Sequence, residues 1–358
     1  MTRTRLTSIY FLVLGSLLIY SYALVDPNIT FINHPLWTSF RNIMVQLGYH
    51  NRPTSTLIFV VISAALTFLH VKLVKDYDES PVKLAVITAG ILLFSYPFLS
   101  RDFFNYMFDA RILTVHHANP YLHAALDFPS DQWLRFMHWT HRPYPYGPTF
   151  LPLTLIPSFL AGGKFILSFL FFKLMYAAVY IWSVYMLTKI KRSYGLFFAT
   201  SPLIIFEGLV NNHNDLIAVM FALMGIYYAS NKLISFLSFV SSAGIKFVTT
   251  PALLLVSKTQ NKKRLAYIVG AFMGALILYV SLTGEIQQWY FLNFLILIPF
   301  LYSHIKSTYI LAFGLLISYY PFILYGDWNE EKLLIKHMVI IIAFLANMVI
   351  LVFNKNEA

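Results

Sequence analysis

Long runs of apolar residues, separated by short polar loops, recur along almost the whole chain. An α-helix rises about 1.5 Å per residue, so roughly 20 apolar residues cross a hydrocarbon core about 30 Å thick. Successive residues within these runs are apolar, whereas the strands of a transmembrane β-barrel alternate between apolar and polar residues. The runs therefore favour helices. The pattern predicts an all-α membrane protein with about 12 transmembrane helices, within a range of roughly 11 to 13. The predicted spans are 6–25, 55–74, 83–99, 165–188, 194–210, 215–230, 233–245, 247–257, 265–283, 289–303, 308–325 and 334–354.

The apolar segment 149–163 departs from this pattern because it is short and contains Pro152 and Pro157. Proline removes a helical hydrogen bond and clashes with the preceding turn, so we expect a half-inserted segment that returns to the outer face. Together with the polar residues before it, this segment forms a long predicted outer loop, 100–163.

Two neighbouring apolar runs, 233–245 and 247–257, are each too short for a normal span. Lys232 precedes the first run and Lys258 follows the second, so the positive-inside rule assigns both distant ends of the pair to the cytoplasmic side. We expect a pair of short helices that meet near Lys246 and leave a cavity entered from the outer leaflet.

The composition agrees with one polytopic membrane domain over residues 1–358. Hydrophobic residues make up 58% of the chain and charged residues 11%, far from the balance of a soluble domain. The chain has no cysteine, which excludes disulfides and thiolate metal sites. The formal net charge of +11 comes from basic residues scattered in short loops, so we expect membrane topology instead of nucleic-acid binding to explain it.

These basic loop residues predict an orientation through the positive-inside rule. Arg3 and Arg5 precede the first apolar run, which lacks a small-residue cleavage pattern, so we expect a retained signal anchor. Both termini are then cytoplasmic, and 100–148 lies outside the cell membrane. The predicted cytoplasmic basic residues are Arg3, Arg5, Lys72, Lys75, Lys83, Lys189, Lys191, Arg192, Lys232, Lys258, Lys262, Lys263, Arg264, Lys306 and Lys355.

The polar segment 100–148 carries Asp102 directly after an apolar run and Asp109 seven residues later. Two helical turns separate them, so both lie on one helix face, about 10 Å apart, and can face one cleft. The alternative is that each carboxylate caps a helix end or pairs with Arg101 or Arg111 at the interface. Ionisable residues at membrane spans frequently mark functional sites, which favours a role for Asp102 in chemistry.

Several short motifs follow one another in a particular order. The first is Asp102-Phe-Phe-Asn-Tyr-Met-Phe-Asp-Ala-Arg111, and the next are Ala118-Asn-Pro-Tyr121 and Tyr144-Pro-Tyr-Gly-Pro148. They resemble the first outer loop of the polyprenol-phosphate-mannose-dependent mannosyltransferases, members of the GT-C superfamily of membrane glycosyltransferases. The later matching motifs are Ser201-Pro-Leu203, Asn212-His-Asn-Asp215, Gly244-Ile-Lys-Phe247 and Gln288-Trp-Tyr290.

The resemblance implies a sugar donor linked to a polyprenyl phosphate, presented at the outer face, and a glycan or lipid as acceptor. The chain agrees in having neither a Rossmann fingerprint nor a Walker loop. By motif position, Asp102 is the expected general base of an inverting displacement and takes the proton of the acceptor hydroxyl. The residues expected to bind sugar or acceptor are Asp109, Tyr106, Asn119, Tyr121, Tyr146, His213, Asn214, Asp215, Gln288, Trp289 and Tyr290.

Lys246 is the expected ligand of the donor phosphate, with Arg142 and Arg111 as further candidates. A charge within a short apolar helix pair costs about 2.5 to 3.5 kcal/mol near the bilayer centre, so a partner should compensate it. The alternatives are that Lys246 snorkels to the headgroups and that Arg111 is an ordinary interfacial anchor.

A second polar motif, with His213 and Asp215, lies between two predicted spans. Its side chains are expected either to bind sugar hydroxyls and support Asp102, or to cap the helix that follows. Glu207 lies inside a span, where an acid requires a partner, and Lys173 or a facing histidine is suited to that role.

Histidines in the outer loop leave a divalent metal open as an alternative. No tight ligand spacing completes a set, so we predict no metal site and no cofactor besides the lipid-linked donor. The histidines concerned are His116, His117, His123, His138 and His141.

Mannose is the expected sugar, with arabinofuranose or glucose on the same carrier as the alternatives. A transporter or flippase of lipid-linked sugars also has many spans and an outer cavity, but it places ionisable residues near mid-membrane in paired broken helices. Here the ionisable residues cluster at one face, which favours a transferase. The expected partners are the lipid bilayer, the donor and the acceptor, without nucleic acid.

Overall fold

The computed structural model describes residues 3–257 and 259–353. Every regular element within these ranges is helical and none is a β-strand, so the all-α part of the predicted fold class is confirmed. Lys258 and Lys355, both predicted to be cytoplasmic, lie outside the described residues. The α-helices are α1 (Arg3–Tyr20), α2 (Pro35–Val45), α3 (Arg52–Asp76), α4 (Pro81–Leu92), α5 (Asp102–Thr114), α6 (Phe150–Leu160), α7 (Phe165–Ile190), α8 (Arg192–Thr200), α9 (Asp215–Tyr227), α10 (Lys232–Ala243), α11 (Lys262–Thr283), α12 (Ile298–Ile305), α13 (Tyr309–Ile317), α14 (Tyr320–Tyr325) and α15 (Glu330–Phe353).

Five of the described helical stretches are long and apolar enough to cross a membrane. They are Arg5–Leu24, which joins α1 to a 3-10 turn, and the helices α3, α7, α11 and α15. A sixth results if α8 and the π-helical segment Ile204–Val210 form one span bent by 70°. The other predicted spans hold shorter or interrupted helices, so the number of about 12 crossings stays a prediction.

Proline accompanies the interruption of two predicted spans. The span predicted at 83–99 is helical only to Leu92 and continues as an irregular segment that contains Pro97. The span predicted at 289–303 is divided between a 3-10 segment, Gln288–Leu297, and α12, which has Pro299 in its first turn. Irregular backbone of this kind is tolerated in membrane proteins where it lines a cavity.

The predicted outer loop 100–163 folds as α5, two short 3-10 turns and α6. Helix α6 has 11 residues, too few to cross a bilayer, which agrees with the predicted half-inserted segment. Asp131 ties the loop together, because it accepts hydrogen bonds from Arg111 Nε at 2.6 Å and His116 Nε2 at 2.8 Å. These contacts hold the loop as a fixed cover over the end of the bundle.

A buried lysine fixes the polar turn that precedes α9. Lys173 of α7 donates hydrogen bonds to the carbonyl oxygens of Leu209 at 3.0 Å and Val210 at 2.8 Å. Carbonyls at the end of a helical segment lack partners within the segment, so the ammonium satisfies them. Lys173 therefore anchors the backbone of this turn. One alternative from the sequence had paired Lys173 with Glu207, and the structure does not show that pair.

The two predicted short helices are observed as α10 and the 3-10 segment Phe247–Val256, with Lys246 in the turn between them. The outer loop packs directly on this turn, since the Thr149 N–H donates to the Gly244 carbonyl at 3.1 Å. A Cβ atom at Gly147 would lie 2.1 Å from that carbonyl oxygen, so only glycine allows the approach. The contact brings Lys246 next to the outer loop.

Candidate active site

A cavity of about 780 Å³ opens where these turns meet. Its wall combines the irregular segment after α4, the beginning of α5, the outer loop, the turn after α10 and the segment Gln288–Leu297. Side chains from the beginnings of α3 and α15 complete it. The predicted site residues on this wall are Asp102, Arg142, Tyr146, Lys246, Trp289 and Tyr290.

Asp102, the predicted base, is the first residue of α5. Its side chain is 17% exposed and lines the cavity. The N-cap position belongs to Arg101, and no side chain makes a capping hydrogen bond there, so the carboxylate is not consumed in capping.

His213 lies directly behind Asp102. Its Nδ1 is 3.7 Å from Asp102 Oδ2, and its Nε2 is 3.3 Å from Glu207 Oε2. The Trp289 ring stacks on the imidazole with centroids 3.8 Å apart and an interplanar angle of 15°. The histidine is therefore the group within ion-pair distance of Glu207, and its Nδ1 faces Asp102 from behind the cavity wall.

Lys246 points into the cavity and is compensated by Asp215. The Nζ atom is 3.0 Å from Asp215 Oδ2, and the other oxygen of this buried carboxylate accepts from Asn293 Nδ2 at 2.8 Å. The ammonium also lies 5.7 Å from the centroid of the Tyr290 ring. The predicted compensation of Lys246 is thus found within the protein.

Other basic side chains line the same cavity, and the sequence identified only some of them. Arg142 packs its guanidinium 4.7 Å over the Trp139 ring, and its Nε has no hydrogen-bond partner among the described residues. Arg52 of α3 and Lys336 of α15 also line the cavity. The sequence did not predict them as site residues, because Arg52 lies at the flank of a predicted span and Lys336 lies within one. Arg111 lies away from the cavity and binds Asp131, so the geometry gives it no contact with a ligand there.

Two predicted binding side chains are held in structural contacts. The Tyr106 hydroxyl accepts from the Asn214 backbone N–H at 3.4 Å and is buried. The side chain of Gln288 is also buried and donates from Nε2 to Ser318 Oγ at 2.7 Å. These side chains shape the turns that carry the site and do not line the cavity.

The Asn-Pro-Tyr motif of the outer loop forms a turn beside the cavity. Asn119 Oδ1 accepts from the Tyr121 backbone N–H at 3.0 Å, as in an ordinary Asx turn. The Tyr121 ring packs against Tyr144 with centroids 5.1 Å apart and is 42% exposed. Neither residue of the motif lines the cavity.

Comparison with known families decides the class of protein. The family model described as alpha-(1->6)-mannopyranosyltransferase, N-terminal domain (MptA/B family), matches residues 11–279, about three quarters of the 358-residue chain. The chain belongs to this family. No curated protein and no solved structure matches it.

The family match confirms the resemblance to mannosyltransferases that the motifs indicated. It contains Asp102, Arg142, His213 and Lys246, and it ends before Trp289. The described part of this mannopyranosyltransferase-family chain shows no group of three His, Cys, Asp or Glu side chains arranged to hold a metal ion. The lack of a metal site stays a prediction.

Asp109 is buried behind the cavity wall and does not line the cavity, so only one of the two aspartates faces the cleft. Desolvation by burial raises the pKa of the Asp109 carboxyl to about 8, an effect that Arg142 opposes and Asp102 reinforces. With this pKa the carboxyl is mostly protonated near neutral pH, and a protonated carboxyl is able to donate a hydrogen bond.

This raised pKa predicts a pH dependence of stability. A carboxyl that binds its proton more tightly when folded stabilises the protein at low pH, and that contribution disappears as pH rises through about 8. Asp109→Asn should remove this contribution, so its melting temperature relative to the parent protein should rise between pH 5 and about 8. Thermal unfolding in detergent measures the difference, and a difference independent of pH would contradict the assignment.

Proposed function

We propose that this chain transfers a mannosyl group from a polyprenyl-phosphate-linked donor to a hydroxyl of a glycan or glycolipid acceptor. The observation that carries the proposal is the presence, in one cavity, of the partly exposed Asp102 carboxylate and the cations Lys246 and Arg142. A carboxylate suits removal of the acceptor proton, and the cations suit the phosphate that leaves. Membership of a mannopyranosyltransferase family supports mannose as the sugar.

The proposed reaction is a single displacement at C1 of the mannosyl group. The acceptor oxygen forms a bond to C1 while its proton moves to Asp102. The bond between C1 and the phosphate oxygen breaks, and the electron pair leaves with the polyprenyl phosphate. Attack opposite the leaving group inverts the configuration at C1.

The family description supports an α-(1→6) linkage as the product. The attacking group is then the primary C6 hydroxyl of an acceptor sugar. Because the displacement inverts C1, an α product requires a β-linked donor.

The proposal places the cavity at the extracytoplasmic face of the cell membrane and both termini in the cytoplasm. Support comes from the basic residues at the ends of α3 and α7 that lie away from the cavity, such as Lys75 and Lys189. The positive-inside rule assigns those ends to the cytoplasm.

Single cysteines test this orientation cleanly, since the chain has no cysteine of its own. His141→Cys in the outer loop and Lys191→Cys after α7 both change exposed residues. A membrane-impermeant maleimide added to intact cells should label the cysteine at 141, and that at 191 only after lysis. Labelling of position 191 alone before lysis would overturn the orientation.

The role of Asp102 predicts the effect of removing its charge. Asp102→Asn should lower kcat by about 10²- to 10⁴-fold, the usual contribution of a general base. The assay incubates purified protein with polyprenyl-phosphate-mannose and an oligomannoside and measures released polyprenyl phosphate. Asp127→Asn is the matched control, because that outer-loop carboxylate is half exposed and lies away from the cavity.

Several outcomes of this assay would contradict the proposal. Parent-like rates in Asp102→Asn would exclude that residue as the base. Transfer from an arabinofuranose or glucose donor, without transfer from the mannose donor, would overturn the sugar assignment. Movement of the lipid-linked sugar across vesicles without release of polyprenyl phosphate would indicate a flippase.

A further inference from the structure

The imidazole of His213 is held between two carboxylates. Nδ1 faces Asp102 at 3.7 Å and Nε2 faces Glu207 at 3.3 Å. His213 and Glu207 are fully buried, whereas Asp102 reaches the cavity. The three side chains therefore form a line that runs from the protein interior to the predicted site of reaction.

The surrounding backbone determines where the imidazole lies. The His213 N–H donates to the Glu207 carbonyl oxygen at 2.9 Å, and the preceding residue, Asn212, has φ of 58°. Asparagine is one of the few non-glycine residues that adopt this left-handed conformation readily. Stacking by Trp289 fixes the plane of the ring. The two nitrogens therefore face the two carboxylates at ion-pair distance, and neither nitrogen makes a hydrogen bond within the described residues.

Glu207 is fixed in the same way. Its Oε2 accepts a hydrogen bond from Asn211 Nδ2 at 3.3 Å, and the Asn211 Oδ1 accepts from the Leu99 backbone N–H at 3.2 Å. The carboxylate is thereby connected to the irregular segment after α4, which forms part of the cavity wall.

Hydrogen-bond counting limits the protonation states of this line. A neutral imidazole has one N–H donor and one acceptor nitrogen, whereas an ionised carboxylate only accepts. With a carboxylate facing each nitrogen, a neutral ring between two ionised acids leaves one nitrogen opposed to an acceptor. We propose that His213 is held as an imidazolium between Asp102 and Glu207 and acts as the positioning residue for Asp102.

In this arrangement Glu207 is the counter-ion and His213 the link. An imidazolium that binds Oδ2 of Asp102 fixes the orientation of the carboxylate and leaves its other oxygen for the acceptor hydroxyl. The 3.7 Å separation shortens to a hydrogen bond when the substrate complex forms, since such contacts often tighten only there. Other ionisable groups also surround these three side chains. Those near Asp102 or Glu207 are Asp109, His138, Lys336, Tyr106, Tyr146, Tyr176, Tyr290 and Tyr319, and the Asp215–Lys246 pair lies beside them.

The first test measures protonation directly and needs no catalysis. The protein is labelled with ¹⁵N-histidine, and the His213 signals are assigned by comparison with His213→Gln. We expect both ring nitrogens of His213 to carry protons at pH 7, and one to lose its proton in Glu207→Gln. An unprotonated ring nitrogen in the parent protein would overturn the proposal. If His213→Gln does not fold, Glu207→Gln provides the assignment, because its carboxamide has the same shape.

The second test separates positioning from folding and rests on the proposed transfer reaction. Glu207→Gln and His213→Gln should each lower kcat by about a hundredfold, the scale of a small misplacement of a catalytic group, with little change in KM for the donor. His70→Gln is the matched control, because His70 is a buried histidine that contacts Thr200 at 2.8 Å and does not line the cavity. Parent-like kcat in both test variants would overturn the positioning role.

The two tests distinguish failure of this inference from failure of the proposed function. If the parent protein transfers no sugar from any polyprenyl-phosphate donor, the proposed function fails, while the ¹⁵N signals still decide the state of His213. If transfer proceeds and His213 has an unprotonated nitrogen, the inference alone fails.

Discussion

Compensation of buried charge governs the cavity end of this bundle. A charge removed from water and left unpaired costs several kcal/mol, so each ion in the apolar interior requires a partner. Lys246 pairs with Asp215 at 3.0 Å, and Lys336 with Glu285 at 2.5 Å. The pairs fix the shape of the wall while the Lys246 ammonium still faces the cavity. Arg142 contributes positive charge to the same cavity and has no carboxylate within salt-bridge distance among the described residues.

The broken helices make this arrangement feasible. A continuous helix pairs its backbone N–H and carbonyl groups with one another. The ends of α4, of α10 and of the π-helical segment before α9 instead leave backbone carbonyls and polar side chains near the cavity. Lys173 satisfies two of those carbonyls, and the close packing of Gly147 on the turn after α10 aligns that turn with the outer loop. The predicted catalytic groups thus lie on turns supported by the apolar helices, and irregular backbone of this kind is tolerated in a membrane bundle where it lines a cavity.

The sequence predicts this site in part. Asp102, His213, Asp215 and Lys246 each follow an apolar run on the same predicted side, so their meeting at one end follows from topology and the order of motifs. The pairing of Glu207 with His213 instead of Lys173 does not follow from the sequence, because it depends on the local winding of a π-helical segment. Side chains that reach the cavity from α3 and α15 are distant in sequence, and the proline breaks that shorten the predicted spans depend on how neighbouring helices repack around them.

The most direct measurement is a cryo-EM structure of the Asp102→Asn protein with polyprenyl-phosphate-mannose bound. We expect the donor phosphate within about 4 Å of Lys246 or Arg142, the limit of an ion pair, and C1 of the mannosyl group turned toward position 102. A phosphate bound outside the cavity, or a C1 atom that faces away from position 102, would contradict it.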